Sequence, residues 1–348
     1  MSISVRHAKE TARQWVLEEA SREPGFAGAF LHGSINWLPD DATLPAASDV
    51  DVMVVLADRS SRLRTGKFIY HDVLLEVSSL TSDRLQSPEQ LLGNYQLASS
   101  FRTPAIIADP AGRLAEVQAV VSRNFARREW VRRRCEDARH KAQRDLDSVN
   151  DARIFADQVL AWLFGTGKTA HILLVAGLMN PTVRRRYVSV RELLRDYGHL
   201  DLHENLLETL GCARMSRRQA EQHLASLVAA FDTARTLIRT PFPFASDISA
   251  AARPIAIDGS RELIEAGYHR EAVFWIAVTS CRCQVILSHD APAPVRDRFS
   301  PGHQHLLNDL GIASPTDLRR RADMTGECLP HIWDVAQAIL AANPAVQD

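Results

Sequence analysis

Two patterns of hydrophobic and polar positions follow one another in the first third of the chain. Residues 5–22 place apolar side chains at helical spacing, and Pro24-Gly25 ends this pattern. Short apolar runs bounded by turn residues come next, and such runs are typical of strands. They predict strands at 26–31, 50–56, 67–70, 73–80 and 104–108, with His71-Asp72 as the turn between the third and the fourth. The first third therefore predicts a small mixed sheet flanked by helices.

After about residue 113 the strand-like runs stop, and helical spacing continues to the end of the sequence. Ser216, Ser260 and Ser314 are candidate N-caps. Pro-rich segments at 241–254 and 291–301 read as connectors. We predict helices at 113–149, 151–164, 167–179, 189–197, 202–210, 217–239, 260–267, 269–289, 302–311 and 316–342.

Length and composition fit an α+β protein of two domains. A chain of 348 residues is long for a single core, and the change of pattern divides it into 1–112 and 113–348. The net charge of −1 and the aromatic content of 7% argue against a protein that grips long nucleic acid. The apolar runs are far shorter than the ~20 residues that span a bilayer, no apolar segment follows Met1, and the five cysteines are scattered. We therefore expect a cytoplasmic protein with no signal peptide and no membrane span.

Acidic residues interrupt two of the predicted strands. Asp49 and Asp51 are two apart, so their side chains point to the same face of a strand. Two carboxylates so placed repel each other unless a divalent cation lies between them, and their oxygens suit Mg²⁺. Glu76 stands within an apolar strand, where a lone carboxylate is costly unless something positive meets it. If the two strands are neighbours, the three acids converge on one or two Mg²⁺ ions; Asp72 is the alternative third carboxylate.

Phosphate-binding residues are predicted at two glycine-containing segments. Gly33 allows a close backbone approach, and Ser34 offers a hydroxyl and an N–H at the start of a turn or helix. The segment 165–169 resembles part of a P-loop, but Trp162 replaces the first glycine of that motif and no strand precedes it. We predict a break between two helices there, from which Lys168 reaches a triphosphate.

These residues carry a resemblance to a known family. The Gly-Ser pair, the Asp-x-Asp in an apolar strand and the later strand carboxylate resemble the signature of the nucleotidyltransferase superfamily that includes DNA polymerase beta. Residues 105–114, with their Asp-Pro-x-Gly turn, are similar to the end of this domain in small antibiotic-modifying members. A minimal domain followed by helices resembles the kanamycin and lincosamide nucleotidyltransferases most. The segment 35–48 between the two motifs is longer than usual in the family.

The resemblance implies an N-terminal nucleotidyltransferase catalytic domain and a helical domain for acceptor binding or pairing as a homodimer. It implies Mg²⁺-dependent transfer of a nucleoside monophosphate from a triphosphate such as ATP to a hydroxyl of a small, aminoglycoside-like acceptor, with release of pyrophosphate. Glu76 would hold a second metal ion or take the acceptor's proton. The implied metal ligands and catalytic residues are Asp49, Asp51 and Glu76, and the implied phosphate contacts are Gly33, Ser34 and Lys168.

Two alternatives belong to other functional classes. A nucleotidyltransferase that acts on nucleic acid, such as tRNA ends, requires a continuous basic groove with aromatic side chains, and the near-zero net charge argues against it. A non-catalytic member would bind nucleotide as a sensor or as half of a toxin–antitoxin pair. The three intact acids argue against this second alternative.

Overall fold

The computed structural model describes residues 3–58, 63–151, 154–180 and 182–348. Contacts divide the chain into two compact units, one formed by residues 1–134 with 345–348 and the other by residues 135–344. The predicted boundary after residue 112 comes before this division, because the helix that begins at Arg113 packs against a helix of the first unit. The assignment of acceptor binding to residues 113–348 stays a prediction.

The first unit is built on a mixed sheet. Within the described residues, five strands pair in the order β3-β4-β2-β1-β5, with β2 and β4 parallel and the other pairs antiparallel. The strands are β1 (Phe26–His32), β2 (Val50–Leu56), β3 (Gly66–Tyr70), β4 (Val73–Thr81) and β5 (Ile106–Ala108). The helices are α1 (Val5–Glu18), α2 (Pro88–Leu92), α3 (Arg113–Asn124) and α4 (Arg128–Asp147), the last of which contains the division between the units.

A large apolar cluster of the first unit lies on one face of this sheet. Alternate residues of β2, among them Val50 and Val52, are buried together with the apolar stripe of α1. Phe68 of β3 joins this core, and its ring centroid lies 5.6 Å from that of Trp15 on α1. Because side chains alternate along a strand, the neighbours of these residues face the opposite side of the sheet.

The second unit is helical. Helix α5 packs against α10 and α12, and α8 packs against α10 and α11. The helices of this unit are α5 (Phe155–Ala176), α6 (Arg186–Asp196), α7 (Leu200–Thr209), α8 (Arg217–Leu237), α9 (Gly259–Glu265), α10 (Val273–Asp290), α11 (Ala293–Asp309) and α12 (Pro315–Ala342). The sheet followed by a helical region confirms the predicted α+β fold class.

Four details of the helical prediction were wrong. The predicted single helix 113–149 is two helices, α3 and α4. The predicted break at 165–166 lies inside α5, which is continuous; the predicted start of this helix includes residues 152 and 153, outside the described residues. Most of the connector predicted at 291–301 belongs to α11, because Pro294 stands in its first turn, where a missing N–H costs little. Ser260 is not a cap: it lies in α9, where its hydroxyl donates to Ala256 O.

One helix among the described residues, α5, is long and apolar enough by composition to cross a membrane. Its most apolar window is 78% buried inside the protein, which is typical of a core helix.

Candidate active site

A row of four polar side chains crosses the sheet of the first unit at one level. In the sheet register, His32 of β1 is opposite Asp51 of β2, Asp51 is opposite Glu76 of β4, and Glu76 is opposite Lys67 of β3. Residues that are opposite one another in a sheet point to the same face. Because Val50, Val52 and Phe68 fill the core on the other face, this row and Asp49 face away from it.

The three predicted acids meet at this row. One carboxylate oxygen from each of Asp49, Asp51 and Glu76 lies within 4.8 Å of the others. Asp51 is the second residue of β2, and Asp49 comes directly before that strand. Asp72, the alternative third acid, lies in the turn between β3 and β4, where its carboxylate is 3.0 Å from His7 Nε2. The structure therefore brings Glu76, and not Asp72, to Asp49 and Asp51.

The surroundings of Asp51 in the cluster shift the pKa of its carboxyl group. Burial raises the pKa of the Asp51 carboxyl well above its usual value, and the charges of Asp49 and Glu76 raise it further. The ammonium of Lys67 lowers the pKa of Asp51, whereas a hydrogen bond to Glu76 raises it. A raised pKa means that ionised Asp51 lacks sufficient positive charge around it. A cation at this place would supply that charge.

Lys67, like His32, was not among the predicted site residues. Its Nζ lies 3.1 Å from Asp49 Oδ2 and forms an ion pair with Glu76, and its side chain is only 6% exposed. A signal for it was present, because a hairpin with His71-Asp72 as its turn places residue 67 opposite residue 76. Combined with the predicted turn, that register points Lys67 and Glu76 to the same face.

Gly33 and Ser34 begin the short 3₁₀ helix Gly33–Trp37 that follows β1. Gly33 has a φ of +71°, and a Cβ at this position would lie 2.0 Å from Asp51 Oδ2. The backbone of residue 33 therefore forms a wall of the acid cluster, and only glycine leaves room for the Asp51 carboxylate. Upstream, His32 Nδ1 lies 2.5 Å from Ser100 Oγ, and burial lowers the pKa of this imidazole to about 4, so the ring is neutral at pH 7.

The residues present fit a divalent cation. The donors are three carboxylates within reach of one another, which is the ligand chemistry of Mg²⁺. Because residue 33 is glycine, the Asp51 carboxylate occupies the space that a Cβ would otherwise fill, and it can lie close to the other two acids. These two observations support the prediction of a metal site at Asp49, Asp51 and Glu76.

Lys168, the remaining predicted phosphate contact, belongs to the second unit. It lies on α5, and its Nζ forms an ion pair with Asp145 of α4. A phosphate at Lys168 would have to replace or join this carboxylate. Its assignment to triphosphate binding stays a prediction.

Comparisons with known proteins add a distant structural likeness. No protein-family model matches the chain, and a search of curated proteins found no match. Among solved structures, the chain is similar to a nucleotidyltransferase-like protein from Exiguobacterium sibiricum 255-15, with 14% sequence identity and a TM-score of 0.29. The alignment covers 76% of this chain and 77% of that one. A likeness this low carries no conclusion about function.

Proposed function

We propose that this protein is a metal-dependent nucleotidyltransferase that moves a nucleoside monophosphate from a nucleoside triphosphate to a hydroxyl of a small-molecule acceptor. The observation that carries the proposal is the convergence of Asp49, Asp51 and Glu76 beside Gly33, because the oxygens of these acids lie within 4.8 Å of one another. The resemblance of the Gly-Ser and Asp-x-Asp motifs to the nucleotidyltransferase superfamily supports the same reaction.

In the proposed reaction the acceptor oxygen forms a bond to the α-phosphorus, and the bond from that phosphorus to the bridging oxygen of the β-phosphate breaks. The acceptor hydroxyl loses its proton, and pyrophosphate leaves. Asp49, Asp51 and Glu76 would hold Mg²⁺, which when bound neutralises the negative charge that develops at the α-phosphate. Glu76 is either a ligand of this ion or the base that accepts the acceptor's proton.

Gly33 and Ser34 would contact the β- and γ-phosphates in this proposal. Gly33 lies directly beside the acid cluster, so a triphosphate that reaches the metal also reaches the turn that follows β1. The acceptor is proposed to be aminoglycoside-like or another small hydroxyl-bearing metabolite. ATP is the first triphosphate to test, and pairing as a homodimer and a cytoplasmic location remain proposals as well.

The test is transfer of label from α-³²P nucleoside triphosphates, with Mg²⁺, to a panel of aminoglycosides, lincosamides, sugars and protein side chains. We expect labelled product and pyrophosphate in equal amounts. Asp49→Asn and Asp51→Asn should lower the rate by about a hundredfold to a thousandfold, the scale on which loss of transition-state charge stabilisation acts. Asp72→Asn is the matched control, because this carboxylate belongs to the same unit but bonds His7 in an exposed turn.

Two outcomes would contradict the proposal. Full activity in both the Asp49 and the Asp51 variants would remove the acid cluster from the chemistry. Saturable nucleotide binding without turnover on any acceptor would favour the non-catalytic alternative.

A further inference from the structure

Lys67 is placed among the acids by the sheet itself and not by a mobile surface contact. Strand register puts it opposite Glu76, and its neighbour Phe68 is anchored in the core against Trp15. The Lys67 side chain is 6% exposed, whereas the side chains of Asp49 and Glu76 that it contacts are 18% and 32% exposed. The Lys67 side chain is therefore the most deeply buried of the three.

The formal charges show how many divalent cations the cluster can hold beside this ammonium. The three carboxylates carry three negative charges when they are ionised, and Lys67 supplies one positive charge between two of them. Two negative charges remain, and a single divalent cation balances them. A second divalent cation would have to lie beside an ammonium in a partly buried site, where like charges repel strongly.

The geometry also limits the ligands that are available. Lys67 contacts both Asp49 and Glu76, so it bridges two of the three acids of the cluster. A cation shared by these same two carboxylates would compete with the ammonium for their oxygens. Asp51, on the strand between β1 and β4 and against Gly33, is the third ligand of the one cation that the cluster would hold.

We propose that Lys67 takes the place of a second metal ion, so that the acid cluster of this protein holds one divalent cation and one built-in ammonium. This inference rests on the proposed function, because it concerns the same metal site. In this arrangement one positive charge belongs to a fixed side chain and only the other to an exchangeable metal ion, unlike a site that binds two metal ions.

The experiment counts Mn²⁺ bound to the full-length protein by electron paramagnetic resonance, in which free Mn²⁺ gives the signal and bound Mn²⁺ is obtained by difference. Nucleotide is left out, because a triphosphate binds a cation of its own. We expect one ion per chain in the wild type and in Lys67→Arg, which keeps the charge. We expect two ions in Lys67→Met and in Lys67→Gln, because the competing charge is gone.

The matched control is Lys9→Met. Lys9 also forms an ion pair in the first unit, with Nζ 2.8 Å from Asp40 Oδ1, but it lies on α1 outside the cluster, so the count should stay at one. Thermal melting gives a second readout. Mn²⁺ should raise the melting temperature of Lys67→Met by more than that of the wild type, because the cation replaces the lost counter-charge.

The outcomes separate the two proposals. Two ions in the wild type, or one ion in both neutral Lys67 variants, would overturn the role of Lys67 and leave the metal site in place. Two ions in Lys9→Met as well as in Lys67→Met would overturn that role too, since the gain would not depend on the cluster. No saturable Mn²⁺ binding in the wild type, with Asp51→Asn unchanged from it, would remove the metal site and the proposed function together.

Discussion

Two glycine-containing segments of this chain are both candidate phosphate-binding sequences, yet they lie in different structural settings. Gly33 follows a strand, has a positive φ and faces a carboxylate of the acid cluster. Gly167 lies inside the continuous helix α5, where a Cβ would come within 2.4 Å of Arg186 Nη1 and 2.6 Å of the Phe274 ring. Glycine is needed at both positions, in one case to shape a polar site and in the other to let helices and side chains pack closely.

The lysines near these two segments, Lys67 and Lys168, also lie in different surroundings. Lys67 lies between two acids of a cluster of three, so its charge leaves the cluster negative. Lys168 faces Asp145, and the pair is formally neutral. An excess of buried negative charge favours cation binding, whereas a matched pair has no such excess. The two segments therefore share glycine and lysine but differ in the balance of charge around the lysine.

The largest effect is expected from Gly33→Ala. The new Cβ would overlap Asp51 Oδ2 and the backbone would have to hold a φ of +71°, so the free energy of unfolding should fall by about 2–4 kcal/mol. Displacement of Asp51 should weaken Mn²⁺ binding by about tenfold or more. Urea unfolding and Mn²⁺ titration measure the two effects.

Gly112→Ala is the control for this change. Gly112 has a φ of +74°, but a methyl group on its Cα would meet nothing within 4 Å, so only the backbone cost of about 1 kcal/mol applies and Mn²⁺ binding should not change. Equal effects of the two substitutions would show that contact with Asp51 is unimportant.

A second comparison uses one buried histidine in each unit. His32 bonds Ser100 and His303 bonds Ser280, and burial lowers the pKa of each ring to about 4. The unfolded chain takes up these protons near pH 6.5 and the native protein only near pH 4, so stability should fall as the pH is lowered between these values. Each histidine should account for up to about 3 kcal/mol of this fall in the free energy of unfolding.

Urea unfolding between pH 7 and pH 4 measures this dependence. His32→Gln and His303→Gln should each flatten the curve, because glutamine keeps a hydrogen-bonding group and does not titrate. A pH dependence that is identical in the wild type and both variants would contradict the assignment.

Gly167→Ala should lower the free energy of unfolding by about 1–3 kcal/mol, because the methyl group overpacks the contact with Arg186 and Phe274. Mn²⁺ binding should stay at the wild-type value. The control is Gly326→Ala on α12, where a Cβ would meet nothing within 4 Å and the gain in helix propensity should stabilise the protein by about 0.5–1 kcal/mol. Loss of Mn²⁺ binding in Gly167→Ala would contradict a purely structural role for this glycine.

The smallest effect is expected from Lys168→Met, which leaves Asp145 without its ion-pair partner. Because both side chains are partly exposed, we expect a loss of about 1 kcal/mol in the free energy of unfolding. Lys141→Met, which breaks the comparable Lys141–Asp137 pair, is the control and should cost a similar amount. An Mn²⁺ count that rises in Lys168→Met, as proposed for Lys67→Met, would remove the contrast between the two lysines. Nucleotide titration of the same variant tests the predicted phosphate contact.

Much of the candidate site could be read from local spacing. Two acids two residues apart on a strand must share a face, and a two-residue turn at 71–72 fixes Lys67 opposite Glu76. The spacing of residues along the chain does not show which strand pairs with β2. The chain leaves β2, forms β3 first and returns as β4, yet it is β4 that pairs with β2 in parallel and brings Glu76 beside Asp51.

The amino-acid order alone determined the strands, most helix positions and the common face of Asp49 and Asp51, because each depends on side-chain periodicity within a few residues. Tertiary structure decided that α5 runs through Gly165 and Gly167 and that the acids of two strands meet around Lys67. Both outcomes depend on groups far apart in the chain: helices that pack closely enough to offset the helix-weakening effect of glycine, and strands whose order in the sheet no local pattern specifies.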